Sequence, residues 1–224
     1  VISESLKTVA KQYAKKSNII KIPILTDENV LSKTEPMDLK EPYLFHAGSL
    51  SEQKDGIFKV FEAFAKSHQV LKEKYGVLLK FKITNKTTQP ETWQKIQAIL
   101  TKYDLEDQIE ITGFLSDEEL VRKERGALAL VINKPPTFQN QYNFPTKLSS
   151  YLASGRPVIA SAKNIELNEF LNHKFNAYVT EPNNSSEIAE AIVDVYENPE
   201  KVKKITKNAI HLLENHFYYK SQSD

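Results

Sequence analysis

From residue 43 onward, short apolar runs alternate with amphipathic helical segments, and this alternation restricts the fold more than any other feature of the chain. Strand candidates lie at 43–47, 77–84, 109–112, 127–132 and 157–161, with a shorter one at 177–179. They are rich in Val, Ile, Leu and Phe, as strands covered on both faces should be. Between them, 55–74, 91–103, a short stretch after Ser116, 145–154, 186–197 and 200–216 read as helices. Ile57, Phe61, Phe64 and Ala65 share one helical face, as do Trp93, Ile96, Leu100 and Tyr103. Ser116 is a natural N-cap, and Asp117, Glu118 and Glu119 suit the positive end of the helix dipole. Strands alternating with helices imply a Rossmann-like α/β domain: a doubly wound parallel sheet with helices on both faces. Such sheets bind ligands outside the C-terminal ends of their strands, here the loops 46–56, 113–118 and 133–147.

The first 42 residues differ in pattern. Residues 3–16 read as a helix capped by Ser3, with Leu6, Val9, Ala10 and Tyr13 on one face. Residues 18–25 read as a short strand in which Pro23 marks an edge or an end. Residues 26–42 are polar, carry Pro36 and Pro42, and read as a linker. The chain starts at Val1 and goes straight into a helical pattern, so it reads as a piece of a longer protein.

Composition removes several function classes. With 30 basic and 29 acidic side chains the net charge is +1, without the basic excess of a nucleic-acid module. The absence of cysteine removes disulfides and thiolate metal sites and fits a reducing compartment. No apolar run approaches the ~20 residues of a membrane span. The five histidines show no ligand-like clustering, and no Asp-x-Asp pair offers a carboxylate clamp for a metal-bound sugar nucleotide. The dinucleotide fingerprint, the Walker A loop and the Gly-x-Ser-x-Gly elbow are all absent.

Two loops carry candidate chemistry. In YNFPTKLSSYLASGRPVIAS (142–161), Pro145 suits a first helical turn. The N–H groups of Thr146, Lys147 and Leu148, with the Lys147 ammonium, would then form an anion site suited to a diphosphate. In HAGSLSEQKDG (46–56), Gly48 ends a strand, and Ser49 and Lys54 place a hydroxyl and an ammonium before a helix. The plain alternative is a Pro-started helix and two solvated lysines. Gly113 likewise follows a strand, where a backbone turns tightly or approaches a ligand.

Taken together, YLFHAGSLSEQKDGIFKVFEAF, IEITGFLSDEEL and FPTKLSSYLASGRPVIAS, in that order, make the chain resemble the C-terminal domain of GT-B-fold retaining glycosyltransferases of the group 1, or family 4, type. The resemblance runs from about residue 18 to 217. It implies that 43–217 bind a nucleoside diphosphate sugar for transfer to an acceptor hydroxyl with retention, without a metal and with no cofactor besides that donor. It also implies that 1–25 trail from an N-terminal acceptor domain that would partner this one, with 26–42 as linker and 218–224 as tail. Gly48 and Ser49 match the loop facing the donor phosphates, and Lys54 stands one position before the family's phosphate-binding lysine. Gly113, Phe114 and Leu115 match the segment beside the nucleobase, and Thr146, Lys147 and Leu148 the helix start under the diphosphate.

The chain also departs from the family. Ser49 stands where many members have arginine, and Tyr142 and Ser150 stand where many have two glutamates eight positions apart. The second of those glutamates usually holds the ribose hydroxyls, a role that falls here to Ser150. The resemblance makes Lys54 and Lys147 the groups that neutralise the departing diphosphate. Its expected setting is cytoplasmic, with peripheral membrane contact through the acceptor domain. The rival reading is a non-catalytic nucleotide-binding or interaction module that kept the fold.

Overall fold

The computed structural model describes residues 1–26, 41–48, 50–84, 89–162 and 165–219. Helix α1 (Glu4–Tyr13) is capped by the Ser3 side chain, which accepts from the Leu6 N–H. Strand β1 (Tyr43–His46) leads into the short helix α2 (Glu52–Asp55) and the long helix α3 (Ile57–Tyr75). There follow β2 (Lys80–Ile83), α4 (Pro90–Tyr103), β3 (Ile109–Ile111), α5 (Asp117–Gly126) and β4 (Ala129–Lys134). Helix α6 (Lys147–Ala153), β5 (Val158–Ala162), α7 (Ile165–Phe170), β6 (Tyr178–Thr180), α8 (Ser185–Glu197) and α9 (Pro199–His216) complete the chain.

The six strands form one sheet in the order β3-β2-β1-β4-β5-β6, and every neighbouring pair is parallel. This is the expected doubly wound sheet, and it contains the six strands anticipated from residue 43 onward. The period-2 alternation of a strand sorts its side chains between two cores. Leu44, Phe81, Ala129, Val131 and Ile159 enter the core beneath α3, α4 and α8. Phe45, Leu130, Ile132, Val158 and Ala160 enter the core beneath α6 and the second half of α9. At ~25 cal/mol per Å² of buried apolar surface, these two cores dominate the stabilisation. No helix among the described residues is long and apolar enough to cross a membrane.

Four local expectations are corrected. Residues 18–25 form no strand; Thr26 makes only an isolated bridge to Tyr218, and Ile22 N–H donates to the Val1 carbonyl. Ile20 and Ile22 remain exposed, so that run has no sheet to complete. The helix expected at 55–74 starts at Ile57, because Gly56 adopts a left-handed conformation (φ +50) and separates it from the unanticipated short helix α2. A β-carbon at Gly56 would collide with the Asn133 side chain, so a glycine is required there on both counts. Strand β4 runs two residues past its expected end and carries Asn133 and Lys134 to its tip. Helix α6 starts at Lys147 rather than Pro145, whose carbonyl instead accepts from the Leu148 N–H at 3.0 Å in the preceding turn. The segment 165–170, without a start signal in the sequence, is the helix α7. Most of the expected linker at 26–42 and the tail beyond residue 219 lie outside the described residues.

A candidate anion site at the switch point of the sheet

The strand order reverses between β1 and β4, which is where ligands of doubly wound sheets collect. Three segments converge there: the loop after β1, the short helix α2, and the tip of β4 with the loop leading into α6. They enclose a cavity of about 110 Å³ lined by the polar groups of His46, Lys54, Asp55, Lys134, Thr146 and Lys147, with Ile2, Phe144 and Pro145 among its apolar walls. Three ammonium groups face one carboxylate, a formal excess of two positive charges.

Local chemistry builds this cluster. Ser51 caps α2 by accepting from the Lys54 N–H, and Gly56 turns the chain sharply after it, so Asp55 points inward. Asp55 accepts from the Lys134 ammonium at 2.8 Å, and both side chains are buried. Lys134 also donates to the Lys54 carbonyl at 3.3 Å, and the buried Asn140 amide donates to the same carbonyl at 3.0 Å and to that of Pro135 at 2.8 Å. Asn133 donates to the Gly56 carbonyl and accepts from Ser161, tying β5, β4 and the α2–α3 corner together. Burial pushes the Asp55 carboxyl up, but Lys134, Lys147 and His46 outweigh it and hold the group below its ordinary range. For Lys134 burial wins over Asp55, and its affinity for a proton falls.

Lys147 stands apart. It is partly buried, and its ammonium makes no hydrogen bond or ion pair among the described residues. Burial, with the repulsion of Lys134 and Lys54, brings its pKa down to about 8 against the pull of Asp55 and Glu124. The ammonium rests against Gly48, where a β-carbon would lie 3.2 Å from Nζ. Gly48 has φ +115, a conformation side chains rarely adopt, and its N–H donates to the Thr84 hydroxyl at 2.9 Å. The glycine thus serves both the turn and the approach of the lysine. Gly48→Ala should push Lys147 aside and cost about 1–3 kcal/mol in backbone strain. Chemical denaturation with parallel diphosphate titration checks both effects. Unchanged stability and affinity would remove Gly48 from the site.

Lys54 is exposed at the rim, and Thr146 lines the cavity with an exposed side chain. Leu148 is fully buried in the second core. Ser150 lies one turn after Lys147 on α6. Gly113 turns with φ +76, Phe114 is fully exposed, and Leu115 packs against the second core; none of the three lines the cavity. Ser49 lies outside the described residues.

Sequence reasoning missed Asp55, Lys134, Asn140 and Glu124. Lys134 reads as a loop residue because the apolar run before it stops at Ile132. Glu124 sits in DEELVRKERG, which reads as a solvated helix, yet it is 2% exposed. It accepts from the Ser150 hydroxyl at 3.3 Å, and burial pushes its pKa up to about 7 against Ser150, Lys147 and Arg125.

A larger groove of about 790 Å³ runs along α8 past His173 and Lys174. Its lining carries two lysines, Lys66 and Lys174, against four carboxylates, Glu187, Glu190, Asp194 and Glu197. That acidic balance is opposite to the cationic excess of the switch-point cavity and suits an anion poorly. Among the described residues, no group of three or more His, Cys, Asp or Glu is placed to hold a metal ion.

Fold and site together define a doubly wound α/β domain that presents a cationic cavity at its switch point. The chain belongs to the family of glycosyl transferases group 1, which it matches over residues 27–212. A comparison with curated protein sequences gives no significant match. Among solved structures the chain is similar to S. aureus TarM, determined as a variant with fondaparinux, alpha-GlcNAc-glycerol and UDP: TM-score 0.75, 17% identity, 99% of this chain and 41% of that one. It is also similar to Anabaena HepE in complex with UDP and glucose: TM-score 0.75, 19% identity, 97% of this chain and 59% of that one. The C-terminal domain of a group 1 glycosyl transferase, LpcC of Francisella tularensis, matches with TM-score 0.70 and 19% identity over 87% of this chain and 99% of that one. At these identities the likeness establishes the fold, that of the Rossmann-like half of a GT-B glycosyltransferase. The chain spans 41% of the length of TarM and 59% of that of HepE.

Proposed function

We propose that this chain is the donor-binding domain of a glycosyltransferase and holds a nucleoside diphosphate sugar with its diphosphate in the switch-point cavity. One observation carries this reading: the partly buried Lys147 ammonium lies against Gly48 without a partner among the described residues, beside two further lysines. An anion relieves both its repulsion and its desolvation. TarM and HepE, of the same fold, carry UDP in their complexes.

The reaction proposed is transfer of a hexosyl or related group to an acceptor hydroxyl with retention, as in family 4. The bond between the sugar's anomeric carbon and the diphosphate oxygen breaks, the diphosphate leaves with that bond's electron pair, and the acceptor oxygen bonds the carbon as its proton passes to the departing diphosphate. Lys54 and Lys147 then stabilise the growing negative charge, the task a metal performs in other transferases. Gly48, Ser49 and Thr146 border the phosphates, Gly113, Phe114 and Leu115 the base, and Ser150 the ribose, with Leu148 supporting α6 from the core. The acceptor is held by a separate N-terminal domain, and the setting is cytoplasmic or membrane-peripheral.

Catalysis needs both reactants held in line. Residues 1–224 should therefore bind uridine or guanosine diphosphate without transferring sugar. A thermal-shift screen tests binding, since a ligand at a hundredfold excess over Kd stabilises by about 2.7 kcal/mol. An assay with UDP-glucose and a simple acceptor tests transfer. No shift with any nucleoside diphosphate would favour the interaction-module reading, and robust transfer would contradict the division of labour.

A further inference from the structure

Glu124 is a conspicuous residue for a helix so rich in charge. The residue is 2% exposed, and among the described residues its one side-chain hydrogen bond is a 3.3 Å contact from the half-buried Ser150 hydroxyl. A buried carboxylate ordinarily has ion-pair or several hydrogen-bond partners, because leaving it short of them costs several kcal/mol. Arg125 and Lys147 both act on Glu124 electrostatically, and neither forms an ion pair with it. Tyr151 lies near enough to feel its charge but directs its hydroxyl to the Ala47 N–H.

Lys147 is the mirror case, an ammonium with no partner among the described residues. Ser150 follows it by one helical turn, about 5 Å along α6. An unmatched cation and an undersatisfied acceptor thus lie near enough to act on each other, and they form no ion pair. One ligand satisfies both if it carries an anion and, a few ångströms away, a hydroxyl donor. A sugar hydroxyl next to a phosphate has that form.

We propose that Glu124, together with Ser150, forms a hydroxyl-reading subsite that fixes the sugar portion of the ligand whose phosphate lies on Lys147. The carboxylate comes from α5 and meets α6, the helix that carries the phosphate lysine, at the Ser150 hydroxyl. Glu124 accepts the hydroxyl proton in a hydrogen bond, and no bond breaks. The hydroxyl belongs either to the pentose of the nucleotide or to the transferred sugar. This inference rests on the donor-site reading above.

The test is calorimetric titration of uridine diphosphate, its 2′,3′-dideoxy analogue and UDP-glucose, with the guanosine set in parallel, against the native chain and Glu124→Leu. If the pentose is read, the native chain prefers uridine diphosphate over the dideoxy analogue by about 10-fold or more. Glu124→Leu brings the two within about twofold. If the transferred sugar is read, the native chain prefers UDP-glucose over uridine diphosphate, and that preference disappears in the variant. Glu124→Gln and Ser150→Ala serve if the leucine variant does not fold, and each should shrink the same preference. Melting without ligand should be unchanged or higher in Glu124→Gln, because a buried carboxylate is removed. Preferences kept intact in folded variants overturn the inference while the donor site stands. Failure of every diphosphate to bind the native chain overturns both.

Discussion

Lys147→Ala is expected to weaken binding of uridine or guanosine diphosphate by about 10- to 150-fold while leaving the bare nucleoside nearly unchanged. The range follows from the roughly 1.5–3 kcal/mol of a hydrogen bond to a charged group. The substitution should not harm the unliganded fold. The folded-state pKa of Lys147 is about 8, below its ordinary value of 10.5. Between those values the native state holds fewer protons than the unfolded chain, so stability rises with pH through that window. Below it, the native state keeps an ammonium that its surroundings disfavour. The unliganded variant should therefore melt at the native temperature or slightly above it near pH 7. Isothermal titration of diphosphate and nucleoside against both proteins checks the first expectation, and calorimetric melting the second. Equal losses for nucleoside and diphosphate would make Lys147 a support of the fold. No loss would return it to the surface and leave Lys54 as the principal cation.

Asp55→Asn is expected to act in the opposite way, on the fold first. Asp55 and Lys134 form a buried pair at 2.8 Å, each under 10% exposed. Removing one partner leaves an uncompensated buried charge, which costs about 3–5 kcal/mol. For a chain of this size that lowers Tm by about 6–20 °C. Replacing both partners, as Asp55→Leu with Lys134→Met, should recover much of the loss because no charge remains to be matched. The folded pKa of Asp55 is depressed, so its contribution is present above the ordinary carboxylate range and is lost as pH falls through the depressed value. Acid unfolding should accordingly begin at higher pH in the single variant. A single variant as stable as the native chain would show that the pair is solvated.

The parts of the fold that follow from apolar periodicity were legible. Runs such as ALALVI have to be strands buried on both faces, and the doubly wound sheet follows from their alternation with helices. Lys147 and Gly48 were legible as separate signals, in segments 99 residues apart, and the sheet order brings them together. What the sequence could not show is pairing. Asp55 and Lys134 each look like ordinary surface charge until β4 is extended by two residues and the chain turns at Gly56. Glu124 carries the local pattern of a solvated helix, and its burial beside Ser150 of α6 shows only in the folded chain. The run at 18–25 misled because its apolar residues lie along the surface, with Ile24 alone packing against the second core.

A crystal structure of the chain with uridine or guanosine diphosphate bound tests the central claim most directly. The account predicts a phosphate oxygen within hydrogen-bonding distance of the Lys147 ammonium, in the cavity between the tips of β1 and β4, with Lys54 at its rim. A diphosphate seated elsewhere, such as the groove along α8, with Lys147 untouched, would contradict it.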